Sequence, residues 1–290
     1  MSATPIARAD GNHPRPPRSL SRLRSLPTTA KVAVVIAVYL SIYGVGLAIL
    51  HSRGYGVRDH RMLVVGLPLL LVLALFGWFI QRGTWRREPA WPTGDGNPMG
   101  AMNRVTTWSL RILFIAGIAV FPLTWFEEIV RGRFSPTLVF AAASAILAAF
   151  AEESVLRRWV LDRALNGPIG PEWAGRAAAI TGMSVAGSML VHLVAIAGGA
   201  PVPAAVALAL TAAFAAIASA AIYLTTPSFG SLVAWHSARN YLGTGVGAGT
   251  LITGQVANAA LQLSLIGALG GLLWWALAVR GPLKKEPPLV

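Results

Sequence analysis

The chain has 290 residues, of which 55% are hydrophobic and only 12% charged, and its mean hydropathy is +0.61. A soluble globular chain carries roughly twice that charged fraction, so the composition points to an all-α polytopic membrane protein in one bundle and away from a set of soluble domains. The net charge of +13 does not imply a nucleic-acid partner, because the basic residues cluster at the ends of apolar segments and no basic domain stands apart from them.

The absence of cysteine excludes disulfides, thiolate nucleophiles, cysteine-bound metal and cysteine lipidation. Residues 1–30 are rich in Pro and Arg and read as a disordered, basic cytoplasmic tail. The apolar run behind them begins too late and extends too far for a typical cleaved signal peptide, so it reads as the first membrane span. A spanning helix needs about 20 apolar residues at 1.5 Å per residue. Segments meeting that need lie at 31–50, 62–80, 108–126, 136–160, 177–197, 202–224, 229–247 and 257–279, which predicts eight transmembrane helices. Residues 81–107 form a polar loop around the turn-rich stretch EPAWPTGDGNPMG. The chain thus divides into N-terminal helices over 31–126, a central helical core over 136–247, and a last helix with a short basic tail over 257–290. Gly267 and Gly271 in that last helix form a GxxxG pair suited to close helix packing.

Orientation follows from the Lys and Arg of the connections. With the N-terminus in the cytoplasm, most of them fall in the tail, the loop after the second span, the end of the fourth span and the C-terminus. The opposite side holds only Arg53, Arg58, Arg61, Arg131 and Arg133, so both termini are expected in the cytoplasm. The expected partner is therefore membrane lipid, in an integral, multi-pass setting.

Ionisable side chains inside these spans stand out, because each costs at least about 2.5 kcal/mol on insertion scales and normally faces a polar interior. Span four holds Glu152, Glu153 and Arg157, span five holds His192, and span seven holds His236, Arg239 and Asn240. Glu153 and Arg157 are four apart on one face, in the favourable order for an ion pair. Glu152 points about 100° away and is free for other work. His236 and Asn240 are again four apart. An acid, two imidazoles and a carboxamide from three helices are thereby able to surround one water molecule. Glu127 and Glu128, beside IVRGRF at a span end, read instead as an interfacial charge cluster.

The order EESVLR (152–157), SMLVH (188–192) and HSARN (236–240), in three separate apolar spans, resembles the CPBP family of CAAX proteases and bacteriocin-processing enzymes. The resemblance covers about residues 136–245 and departs from the usual second motif, FxxxH, by placing Ser188 where a Phe is common. It implies an intramembrane endopeptidase acting on a membrane-associated peptide or protein. Carried over residue by residue, Glu152 is the general base with help from His192, and His236 and Asn240 stabilise the oxyanion. Glu153, Arg157 and Ser188 support the site. Two versions stay open. In one, hydrogen-bond donors alone stabilise the developing charge. In the other, Glu152, His192 and His236 hold Zn²⁺ or another divalent metal with an open water position.

Other intramembrane protease patterns are absent: no His starts HExxH, no GxSG occurs, and Asp10, Asp59, Asp95 and Asp162 lie outside or at the margin of the spans. A proton-coupled transporter, or a non-proteolytic scaffold or immunity protein of the same fold, are the alternatives. Helix rise sets one condition. Counted from the expected span ends, Glu152 lies about 13 Å and His192 about 22 Å from the cytoplasmic side. A shared site therefore requires span five to begin later, or the helices to tilt.

Overall fold

The computed structural model describes residues 27–56, 61–81, 99–165, 173–225 and 229–243. Among these every element is helical: α1 (Thr28–Ser52), a short α2 (Met62–Val65) leading into α3 (Leu67–Gln81), α4 (Met99–Val130) and α5 (Pro136–Glu152). A π-helical stretch, Glu153–Trp159, continues α5 into α6 (Val160–Leu165). Next come α7 (Trp173–Val194) with a 3₁₀ turn at Ala195–Gly198, α8 (Val202–Thr225) and α9 (Phe229–Gly243).

Local chemistry fixes where several of these elements begin and end. At the start of α5, Ser135 Oγ accepts from the Thr137 amide at 3.3 Å, and Pro136 occupies the first turn, where its missing N–H is no loss. The chain leaves α4 through Gly132 and the 3₁₀ turn through Gly199, both with φ in the left-handed region that favours glycine.

Among the described residues six helices are long and apolar enough to cross a membrane, and they present large apolar side chains outward. Phe79, Phe126 and Phe214 are 68%, 66% and 76% exposed, an arrangement suited to lipid and costly in water. The protein is an all-α, polytopic membrane protein. Of the eight expected spans, the first six correspond to these helices. The seventh corresponds to α9, whose 15 residues reach only about 22 Å, short of the hydrocarbon thickness of about 30 Å. The eighth, with Gly267 and Gly271, lies outside the described residues, as does the tail over 1–26.

Two boundaries differ from the sequence expectation. Helix α4 starts at Met99 and not at 108, so the polar loop is shorter than its composition suggests. The fourth span runs on through the π stretch to Leu165 and does not stop at 160. That places Glu152 roughly 7 Å deeper from the inner end than counted above.

The bundle has two apolar cores on either side of this central helix. One joins α4, α5 and α9 through Leu113, Val120, Leu138, Ala142, Leu232, Trp235 and Tyr241. The other joins α1, α3, the π stretch and α7 through Ile36, Tyr39, Leu73, Val155, Leu156 and Ile180. Helix α8 packs chiefly on α7 and touches α9 only lightly. A space is left between α8 on one side and α5 and α9 on the other.

Candidate active site

That space is a cavity of about 420 Å³, lined by side chains from α1, α3, α5, the π stretch, α7, α8 and α9. Alanines make the room: Ala145 and Ala148 of α5 face Ala212 and Ala215 of α8 across it. Every residue named above as catalytic lines this cavity, namely Glu152, His192, His236 and Asn240, as do Glu153 and Arg157.

The π stretch explains how so many polar groups reach one place. Glu153, Ser154, Val155, Leu156, Arg157 and Trp159 are all buried, so the segment is enclosed on nearly every face. A π turn inserts extra backbone into a helix and rotates the side chains that follow, a device found often at functional sites. Glu152 is the last α-helical residue before it and Glu153 the first within it.

His236 sits between the two carboxylates. Its Nδ1 donates to Glu153 Oε1 at 2.8 Å, and its Nε2 faces Glu152 Oε2 at 3.9 Å. An ionised carboxylate only accepts, so the Glu153 contact fixes the proton on Nδ1 and turns Nε2 toward Glu152 and the cavity. The 3.9 Å gap is too long for a direct hydrogen bond and has the width a water needs to touch both atoms.

Here the side-chain directions differ from the helical-wheel expectation. Glu153 is not occupied by Arg157 alone: Arg157 Nε and Glu153 Oε2 lie 3.7 Å apart, beyond hydrogen-bond reach. Among the described residues neither atom has a hydrogen-bond partner. The guanidinium spends its other donors on α7, with Nη1 on Ser184 Oγ at 3.2 Å and Nη2 on Ser188 Oγ at 2.9 Å. Ser184 in turn donates to the Leu156 carbonyl at 2.6 Å. Ser188 thus ties α7 to the π stretch.

These bonds also set the depth of His192. Arg157 lies level with Ser184 and Ser188 on the antiparallel α7, so four residues back along one helix and four to eight forward along the other run the same way and bring Glu153 and His192 to similar heights. Span five begins earlier than expected, at Trp173. That start takes His192 about as much farther from the inner end as the extension of the fourth span takes Glu152, so the common level rests on the Arg157 bonds to Ser184 and Ser188 and not on the span ends.

Among the described residues no three His, Asp or Glu side chains gather closely enough to hold a metal ion. Glu152, His192 and His236 therefore line one cavity without forming a coordination set. Sequence reasoning missed Ser184, although its spacing of four from Ser188 placed both hydroxyls on one face of α7. It also left Tyr43, which lines the cavity from α1, without a role. Nothing in that residue's neighbours signals it. Arg239 was recognised as an ionisable residue within a span and given no task; it lines the cavity too.

The outer carboxylates behave differently. Glu127 pairs with Arg131, four residues on, and Glu128 Oε1 accepts from Arg133 at 3.0 Å, both on the exposed end of α4. No protein-family model, no curated protein and no solved structure matches the chain.

Proposed function

We propose that the chain is an intramembrane endopeptidase that hydrolyses a peptide bond in a membrane-associated protein or peptide. The observation that carries this reading is the placement of His236 between Glu153 and Glu152 inside a cavity that His192 and Asn240 also line. The ordered resemblance of the three motifs to CPBP endopeptidases supports it independently.

Glu152, with His192 nearby, takes a proton from a water as the water oxygen attacks the carbonyl carbon of the scissile bond. Negative charge moves to the carbonyl oxygen. His236 Nε2–H and the Asn240 carboxamide are the donors available to stabilise it. The Glu153 carboxylate, bonded to Nδ1, holds the ring with Nε2 toward the cavity. The proton held by Glu152 passes to the departing amine nitrogen as the C–N bond breaks, leaving a new carboxylate and a new amine. Each step uses side chains that line the cavity, and none is routed through a metal.

The same reading places both termini in the cytoplasm, from the distribution of Lys and Arg. Mapping new peptide termini in the membrane proteins of cells producing the wild-type chain, Glu152→Gln or His236→Ala tests the activity. The expected result is a set of new termini made by the wild type and missing with both variants. Identical termini from all three would overturn the endopeptidase reading.

A further inference from the structure

Helix α9 presents three polar side chains to the cavity: His236, Arg239 and Asn240. Spacings of three and four put them on one helical face. His236 is held by Glu153, but Arg239 is held differently. Its guanidinium lies over the Trp235 ring, 5.7 Å from the centroid, and among the described residues no carboxylate lies within ion-pair reach of it. Arg157, the other guanidinium in the cavity, is committed to Ser184, Ser188 and Glu153.

A half-buried cation inside a bundle of apolar helices is costly unless something pairs with it. Glu152 acts on Arg239 through space, but its Oε2 faces His236 and makes no ion-pair contact with the guanidinium. A guanidinium offers five donors in a planar fork that matches a carboxylate with two parallel bonds, and stacking on an indole holds that plane in place before anything binds. The missing acceptor is therefore one that an incoming molecule supplies.

We infer that Arg239 is a specificity-determining residue that binds a carboxylate of the substrate peptide inside the cavity. The identification of the bound molecule as a substrate rests on the endopeptidase reading; the carboxylate site itself does not. The carboxylate comes either from the chain terminus of the peptide or from an Asp or Glu side chain, and the two sources are separable.

The test uses the full-length protein carrying Glu152→Gln, immobilised in detergent, so that bound peptide is not cut. Three pools of N-acylated heptapeptides with randomised apolar positions are offered: free C-terminal acids, the matching amides, and amides containing one glutamate. Retained peptide is measured by mass spectrometry. A charge-assisted, bidentate contact predicts retention of at least one carboxylate-bearing pool over the plain amides by roughly ten- to hundred-fold. Retention of the free acids identifies the chain terminus as the source, and retention of the glutamate pool identifies the side chain. Adding Arg239→Gln is expected to abolish the preference and Arg239→Lys to keep part of it. Arg111→Gln, which removes a similar stack on Trp108 elsewhere in the bundle, leaves it intact.

Equal retention of all pools, no retention at all, or a preference that survives Arg239→Gln overturns the inference. So does an Arg239-dependent retention of anionic phospholipid in place of peptide. The comparison of acids with amides is made on protein that keeps Arg239, so it decides the matter even where Arg239→Gln fails to fold. Selective retention without cleavage by the Glu152 protein sustains the carboxylate site and removes the endopeptidase reading. Cleavage without any charge preference does the reverse.

Discussion

At Arg157, buried to 2% exposure, one side chain ties the π stretch to α7. It neutralises Glu153 across 3.7 Å and donates to both serines of α7. Breaking a buried ion pair from one side leaves an uncompensated charge, so Arg157→Ala is expected to lower stability by about 3–5 kcal/mol. Ser188→Ala removes one hydrogen bond to a charged donor and is expected to cost about 1.5–3 kcal/mol. Unfolding of the purified variants in detergent checks both, and wild-type stability in Arg157→Ala would contradict the account. The residues of this cluster were legible in the sequence because charge inside an apolar run is rare. Their directions were not. A Glu with an Arg four residues on recurs in the sequence, as at Glu127 with Arg131 and at Glu153 with Arg157, and spacing alone treats these two alike. Burial separates them. The contact of Glu153 with His236 on a helix 83 residues away, and the π stretch that begins at Glu153, have no signature in an isolated sequence.

Among the elements, the short helix α9 matters most, since it carries His236, Arg239 and Asn240 together. It is seated against α4 through Gly117: a Cβ at that position would come 2.7 Å from the backbone carbonyl of Ala234, two residues before His236. The obstruction is main chain and cannot rotate away. Gly117→Ala is therefore expected to shift α9, to destabilise the protein by about 1–3 kcal/mol, and to reduce activity more than its modest size suggests. The comparison that checks this is residual activity against stability for Gly117→Ala and Gly182→Ala, since Gly182 has open space around its would-be Cβ. Equal behaviour of the two would mean that α9 is not positioned by this contact. The apolar runs made the six spanning helices readable. The interruption of α5 by π turns was not readable, because that segment is packed on all sides by parts of the chain far away in sequence.

Across the whole molecule, an outward apolar surface and an enclosed polar cavity are the arrangement that lets carboxylates work within a bilayer. Burial in protein, not exposure to lipid, is what makes ionisable groups tolerable there. Alternation of the helices places Ser52 and Pro201 on one face of the membrane and Gly175 on the other. The chain has no native cysteine, so single substitutions report cleanly. In intact cells, Ser52→Cys and Pro201→Cys are expected to react with a membrane-impermeant maleimide, and Gly175→Cys only after permeabilisation. The opposite pattern would invert the topology.

The central claim is that Glu152 and His236 direct water onto a peptide bond. Incubating membranes that contain the protein in H₂¹⁸O and sequencing the new C-termini tests it most directly, because hydrolysis places one solvent oxygen in each new carboxylate. The account predicts singly labelled new C-termini with the wild type and with Glu127→Gln, and none with Glu152→Gln. Labelled termini that persist undiminished in Glu152→Gln, or a wild type that makes none, would contradict it.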